Sequence, residues 1–202
     1  MNLPILVLLV VAVNWHGQLP VPPLPVPGHG EVHLVLPATW KEVRRELPVG
    51  RPPSMAVDRM GMARGSLELT VIWDPKGDPG FARPGNVRSL TLKGQVAVRG
   101  QSVEKDFPLL PILGTAGQGF YYVATDQTYK LPASGVPVAG EYPILTHGEL
   151  GLGTVVVSFT IFSDGKDDAA VKEALAALRG AVLVTEPRGP SEGKAPREKG
   201  GQ

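Results

Sequence analysis

The stretch from Thr154 to Val184 constrains this chain more than any other. Its first part, Thr154-Val-Val-Val-Ser-Phe-Thr-Ile-Phe-Ser163, is dense in β-branched and aromatic residues. Such side chains are stiff at χ1 and pack well on a pleated surface, so the segment reads as a strand. Asp164, Gly165, Lys166 and Asp167 break the run. From Asp168 to about Leu183 an alanine- and leucine-rich segment has helical spacing, with Val171, Leu175, Leu178 and Val182 forming one apolar stripe. A buried strand handing over to an amphipathic helix is the core unit of a layered domain. The strand is expected in mid-sheet and the helix across it.

Composition bounds what that unit can belong to. With a leader and a polar tail subtracted from the 202 residues, about 150 remain, enough for one domain with a real core. The 20 basic and 19 acidic residues nearly cancel, so no strong field exists to attract nucleic acid or an anionic membrane. The absence of cysteine excludes a disulfide scaffold, a thiol nucleophile and a thiolate metal site.

The apolar run Leu3–Val13 is too short to span a bilayer, which takes about 20 residues. It suits the apolar region of a secretory signal, expected over residues 1–18, although no Lys or Arg precedes it. The competing reading is a buried first strand. Leu19-Pro-Val-Pro-Pro-Leu-Pro-Val-Pro27 favours polyproline II, so residues 19–30 read as a stiff linker, with an SH3-type ligand as the alternative. A domain is expected over 31–184 and a disordered polar tail over 185–202, rich in Gly and Pro. The implied location is periplasmic or secreted, with no integral membrane span after processing.

Within the domain, Glu31–Leu36 alternates, with Val32, Leu34 and Leu36 on one side. Lys41–Leu47 reads as one or two helical turns before Pro48. Ser54–Met60 and Leu67–Trp73 read as a hairpin, with Met55 and Val57 on one face of the first and Leu67, Leu69, Val71 and Trp73 inward on the second. Asn86–Gln101 fits a poor helix weakened by two glycines, or an extra hairpin. Val103–Leu110, Gly119–Asp126 and Glu141–Leu150 read as strands.

The series Val32-His-Leu-Val-Leu-Pro-Ala-Thr-Trp40, Gly119-Phe-Tyr-Tyr-Val-Ala-Thr-Asp126, Gly140-Glu-Tyr-Pro-Ile-Leu-Thr-His-Gly148 and Val155–Ser163, closed by a helix, resembles uncharacterised exported bacterial proteins of the PsbP-like fold. The resemblance covers residues 30 to 184 and rests on strand order and patterning. It implies an α+β, α/β/α-layered domain with a single antiparallel β-sheet flanked by helices. PsbP is an extrinsic subunit of photosystem II, and members of the group with known roles bind other proteins, photosystem subunits or, in a nuclear branch, a small GTPase. It transfers no functional residue to this chain.

Few residues carry chemistry. Gly114–Gly119 lacks the Gly-Lys-Ser/Thr ending of a phosphate loop and precedes a strand. No Gly-x-Ser-x-Gly elbow is present. No catalytic residue, cofactor or metal site is assigned. His147 and Glu149 share a strand face at i, i+2, a pair that could relay a proton or bind a metal if Glu141, Asp126 or His33 supplied a third ligand; a solvated strand end explains them as well. Tyr121, Tyr122, Tyr129 and Tyr142 are core residues or an aromatic recognition patch. The candidate binding patch is Tyr121, Tyr122, Asp126, Tyr142, His147 and Glu149. The expected function is a non-enzymatic binding module of the cell envelope, with an envelope protein or small ligand as partner. The alternatives are a metal-dependent or hydrolytic enzyme using His147 and Glu149, and a structural or lipid-carrying protein.

Overall fold

The computed structural model describes residues 21–185, so the expected leader and nearly all of the polar tail lie outside the described residues. In chain order the elements are β1 (Leu24–Val26), β2 (Gly30–His33), β3 (Trp40–Glu46), β4 (Ser54–Arg59), β5 (Gly65–Trp73), α1 (Pro84–Val98), β6 (Leu110–Leu113), β7 (Gly117–Thr125), β8 (Ile144–Leu152), β9 (Val155–Ser163), α2 (Ala169–Arg179) and β10 (Val182–Val184).

The β-branched run expected in mid-sheet is β9, the fourth of seven strands in the order β3-β4-β5-β9-β8-β7-β6. Every pairing in that sheet is antiparallel. Period-2 alternation assigns the faces. Val155, Val157, Phe159 and Ile161 point to one side of β9 and join Leu67, Leu69 and Val71 of β5 in the main core. Helix α2 lies across them, contributing Ala170, Val171, Ala174, Leu175, Ala177 and Leu178. The expected stripe holds as far as Leu178. The helix ends at Arg179, one residue before Gly180, and Val182 belongs to a strand.

Helix α1 packs on the opposite face, over β7 and β8. The layers are therefore α/β/α in an α+β fold, but there are two sheets and not the expected single one. The second is three-stranded, β1-β2-β10. It draws β1 from the proline-rich stretch expected to be a spacer: Leu24 and Val26 are fully buried in the main core, and Leu24 pairs with Val32. Arg45 holds this stretch down by donating to the carbonyls of Pro22 and Pro23 at 2.8 and 2.6 Å. Prolines suit β1 because it is an edge strand, where a missing N–H removes no ladder bond.

Two further expectations differ. Lys41–Glu46 belongs to the edge strand β3 and does not form helical turns. Its Lys, Glu and Arg are good helix formers, but Trp40 is buried at one end and Arg44 pairs across to Glu68 at 3.2 Å. Tertiary pairing outweighs a helix propensity of a few tenths of a kcal/mol per residue. A register shift between Glu42 and Arg44 and the dense charge mark a protected edge. Val103–Leu109 is not a strand, and Leu110 only opens β6; the start of the segment is tied to the sheet by an isolated bridge, Ser102 to Asp126, and by Glu104, which accepts from the Thr125 backbone N–H and hydroxyl, both at 2.7 Å. Asn86–Gln101 resolves in favour of the helix.

Candidate functional site: a polar seam beneath a helix

The two helices are seated differently. The fully buried residues of α2 are all apolar, whereas those of α1 are Val87, Thr91 and Gln95. What α1 covers is polar as well. Register places Tyr122 of β7 opposite His147 of β8, His147 opposite Thr160 of β9, and Glu149 opposite Ser158. Because alternate residues share a face, these five side chains lie together on the α1 side.

The seam is connected by hydrogen bonds. His147 Nδ1 shares one with Thr160 Oγ1 at 3.0 Å, and Ser158 Oγ donates to Glu149 Oε1 at 3.1 Å. From the helix, Thr91 Oγ1 donates to its own Val87 carbonyl at 3.0 Å, and Gln95 Nε2 donates to the Phe107 carbonyl at 2.9 Å. Phe107 packs on Tyr122 with ring centroids 5.4 Å apart, and the Tyr122 and His147 rings meet edge-on at 5.6 Å.

Burial sets the electrostatics. Glu149, 6% exposed, is pushed up to about 7 by desolvation, against the hydrogen bond from Ser158. Desolvation also lowers His147, against a backbone hydrogen bond at Phe159. The Tyr122 hydroxyl is pushed up to about 12 by burial, with the Glu149 charge adding to it. Each shift penalises the charged form. His147 Nε2 and Glu149 Oε1 lie 3.9 Å apart, and burial disfavours the charged form of each. Two polar atoms in the seam, Tyr122 Oη and Glu149 Oε2, have no hydrogen-bond partner. A buried polar atom left unpaired costs about 1–3 kcal/mol.

No protein-family model matches the chain. No curated protein matches it either. Among solved structures it is similar to a crystal structure of a Bacteroides thetaiotaomicron protein, at 14% identity and a TM-score of 0.43, covering 77% of this chain and 46% of that one. The chain therefore spans less than half the length of that neighbour, and a likeness of this size carries no argument.

Of the sequence-derived patch, the fold brings together Tyr122, His147 and Glu149 and separates the rest. Tyr121 points to the opposite face and packs on the main core. Asp126 follows the end of β7, where its Oδ1 accepts from the backbone N–H and hydroxyl of Thr128, both at 2.7 Å. Tyr142 sits on the α1 side but over the end of β9, stacked on Phe162 at 6.2 Å with the Arg64 guanidinium 5.1 Å from its ring centroid. The third ligands entertained for a metal do not converge: His33 lies in the small sheet beside Glu31, and no group of three His, Asp or Glu fit for a metal occurs among the described residues.

Sequence reasoning missed Ser158, Thr160, Thr91 and Gln95. A signal existed for each pair. Ser158 and Thr160 are the polar positions inside a strand that is apolar up to its final Ser163, and Thr91 and Gln95 stand at i, i+4 on one helix face.

Proposed function

We propose that this chain is a non-enzymatic exported binding module of the cell envelope that engages its partner through the α1 side of the large sheet. One observation carries the reading. Helix α1 lies over β7 and β8 at one end of the sheet, beside an exposed to half-buried face on β3, β4 and β5 that presents Lys41, Arg44, Glu46, Glu68 and Thr70. Tyr142, Phe162 and Arg64 stand at the end of that face, and aromatic residues and Arg are the side chains that dominate binding energies. The resemblance to PsbP-like proteins, whose members with known roles bind other proteins, points the same way. The apolar leader supports export.

A photo-crosslinking residue in place of Thr70 tests the binding face. The expected result is an adduct of discrete mass from a cell-envelope fraction, lost when Tyr142 and Phe162 are both changed to Ala. Failure of any discrete adduct to form refutes the reading. The mass of the mature protein tests export separately: an intact N-terminus in a cytosolic fraction refutes that part.

One observation favours a second reading. Glu149, pushed up to about 7 by burial and 3.9 Å from the His147 imidazole, has the properties of a general acid or base. An enzyme would then be expected to hydrolyse some ester or phosphoester substrate and to lose that activity in Glu149→Gln. A broad substrate screen with no turnover removes it.

A further inference from the structure

The near-balance of charge over the whole chain conceals a local excess on α1. From Pro79 to Val103 the sequence has four cations, Arg83, Arg88, Lys93 and Arg99, and no Asp or Glu. All four residues are exposed. Elsewhere the signs are mixed: Arg44, Arg45, Arg59, Arg64 and Lys166 each pair with a carboxylate of this chain, whereas among the described residues none of these four does. Glu104, the acid that ends the stretch, is taken by Lys166 at 2.6 Å. The outward side of α1 sets apolar surface among the charges. Its buried residues are Val87, Thr91 and Gln95. Away from them, Arg88, Leu92, Val96 and Arg99 stand at i, i+4, i+8 and i+11, which puts them on one stripe, and Lys93 flanks the other side of Leu92 and Val96. Leu92 is 37% and Val96 73% exposed. No aromatic residue lies between Pro84 and Val98.

We propose that the outward face of α1 docks on an anionic lipid bilayer, with Leu92 and Val96 entering the headgroup boundary and Arg88, Lys93 and Arg99 reaching the lipid phosphates. The inference goes beyond the partner-binding reading and uses other residues. Cations of one sign gathered on one helix create a local potential that the net charge of the chain does not report. A bilayer complements both parts of the face, because its anionic groups lie directly above an apolar interior. Lys and Arg stems lie along the apolar boundary while their charged heads stay at the phosphates. A protein partner would be expected to meet aromatic anchors, and this face has none. Two apolar side chains are too few for a permanent anchor, so the association is reversible and weakened by salt.

The chain has no cysteine, so Val96→Cys in the full chain accepts a single polarity-sensitive dye. Ala176→Cys, on the exposed side of α2 across the sheet, is the matched control. The probes are vesicles of phosphatidylcholine alone and of an equal mixture with phosphatidylglycerol. The dye at position 96 is expected to shift to the blue with the anionic vesicles and not with phosphatidylcholine alone, and the dye at 176 with neither. Arg88→Gln and Lys93→Gln, both at exposed positions, should each weaken partitioning about fivefold, and added salt should release the protein. No shift at position 96, the same shift with phosphatidylcholine alone, equal shifts at 96 and 176, or unchanged partitioning in both Gln variants overturns the proposal. An acidic peptide or duplex DNA that shifts the dye at 96 as strongly as the anionic vesicles also overturns it, in favour of a macromolecular partner of that class.

Discussion

Gly94 of α1 lies directly over the imidazole of His147 in β8. A Cβ built on Gly94 would stand 3.0 Å from both Cδ2 and Nε2 of the ring and 3.5 Å from Tyr122 Oη. At an exposed helix position Gly→Ala stabilises by about 1 kcal/mol. Here the ring is tethered through Nδ1 to Thr160, which resists the few tenths of an ångström it would have to give. Gly94→Ala should therefore destabilise the protein by about 1 kcal/mol or more, measured by urea unfolding. Combined with His147→Ala, the same change should turn favourable. A single Gly94→Ala variant more stable than the parent would show that the helix is not seated on the ring.

The carboxyl of Glu149 makes stability depend on pH in an unusual direction. Its folded pKa of about 7 lies above the ordinary glutamate value of 4.5, so the folded state keeps a proton that the unfolded chain releases. Its contribution is present in full below the unfolded value, falls as pH rises across that window, and is gone above about 7. The loss is on the order of 3 kcal/mol, at about 1.4 kcal/mol per pH unit. Glu149→Gln should flatten the profile and be more stable than the parent at alkaline pH. Thermal unfolding at a series of pH values reads both. A parent profile that climbs from mildly acidic to neutral pH in step with Glu149 would contradict the buried carboxyl.

Glu173 pins α2 to the sheet. Its Oε2 accepts from Trp40 Nε1 at 2.8 Å and Arg59 Nε at 2.9 Å, and its Oε1 from Arg59 Nη2 at 3.0 Å. The Arg59 side chain is 12% exposed, so truncating its partner leaves a mostly buried cation unpaired. Glu173→Ala is expected to destabilise by about 2 kcal/mol. Arg59→Met in the same background should recover part of the loss by removing the stranded charge. Equal stability of Glu173→Ala and parent in denaturant melts would refute the pin.

Arg64 organises the loop between β7 and β8. It pairs with Asp164 at 2.6 Å, donates to the carbonyls of Val138 and Glu141 at 2.8 and 3.3 Å, and lies over Tyr142. Arg64→Ala should raise hydrogen exchange and protease cleavage across residues 131–142 while leaving β9 protected, because local opening draws on few core contacts. Uniform loss of protection would mean that the arginine supports the whole sheet.

How much of this was legible beforehand differs by element. In β9 and α2 the alternation and the apolar stripe identify both the buried face and the partner. Tyr122, His147 and Glu149 were each identifiable as polar or amphipathic residues on strands, but nothing local says that Tyr122 of one strand stands opposite His147 of the next. A shift of one residue in pairing would have sent Tyr121 there instead. The helix over them was hard to read because its buried side is polar, so the periodic signal was faint. Trp40–Glu46 misled for the opposite reason: its composition is that of a helix, and only the pairing with β4 makes it a strand.

The amino-acid order alone settled the elements whose burial pattern is regular: a central strand with Val155, Val157, Phe159 and Ile161 inward, and a helix with Val171, Leu175 and Leu178 against it. Periods of 2 and 3.6 are local properties, fixed by backbone geometry. Tertiary structure alone decided that Leu24–Val26 leaves a proline-rich stretch to enter the core, and that Tyr122, His147 and Glu149 share a seam beneath α1. Both depend on strand register and on which layer closes over which face, and those are set by contacts between residues far apart in the chain.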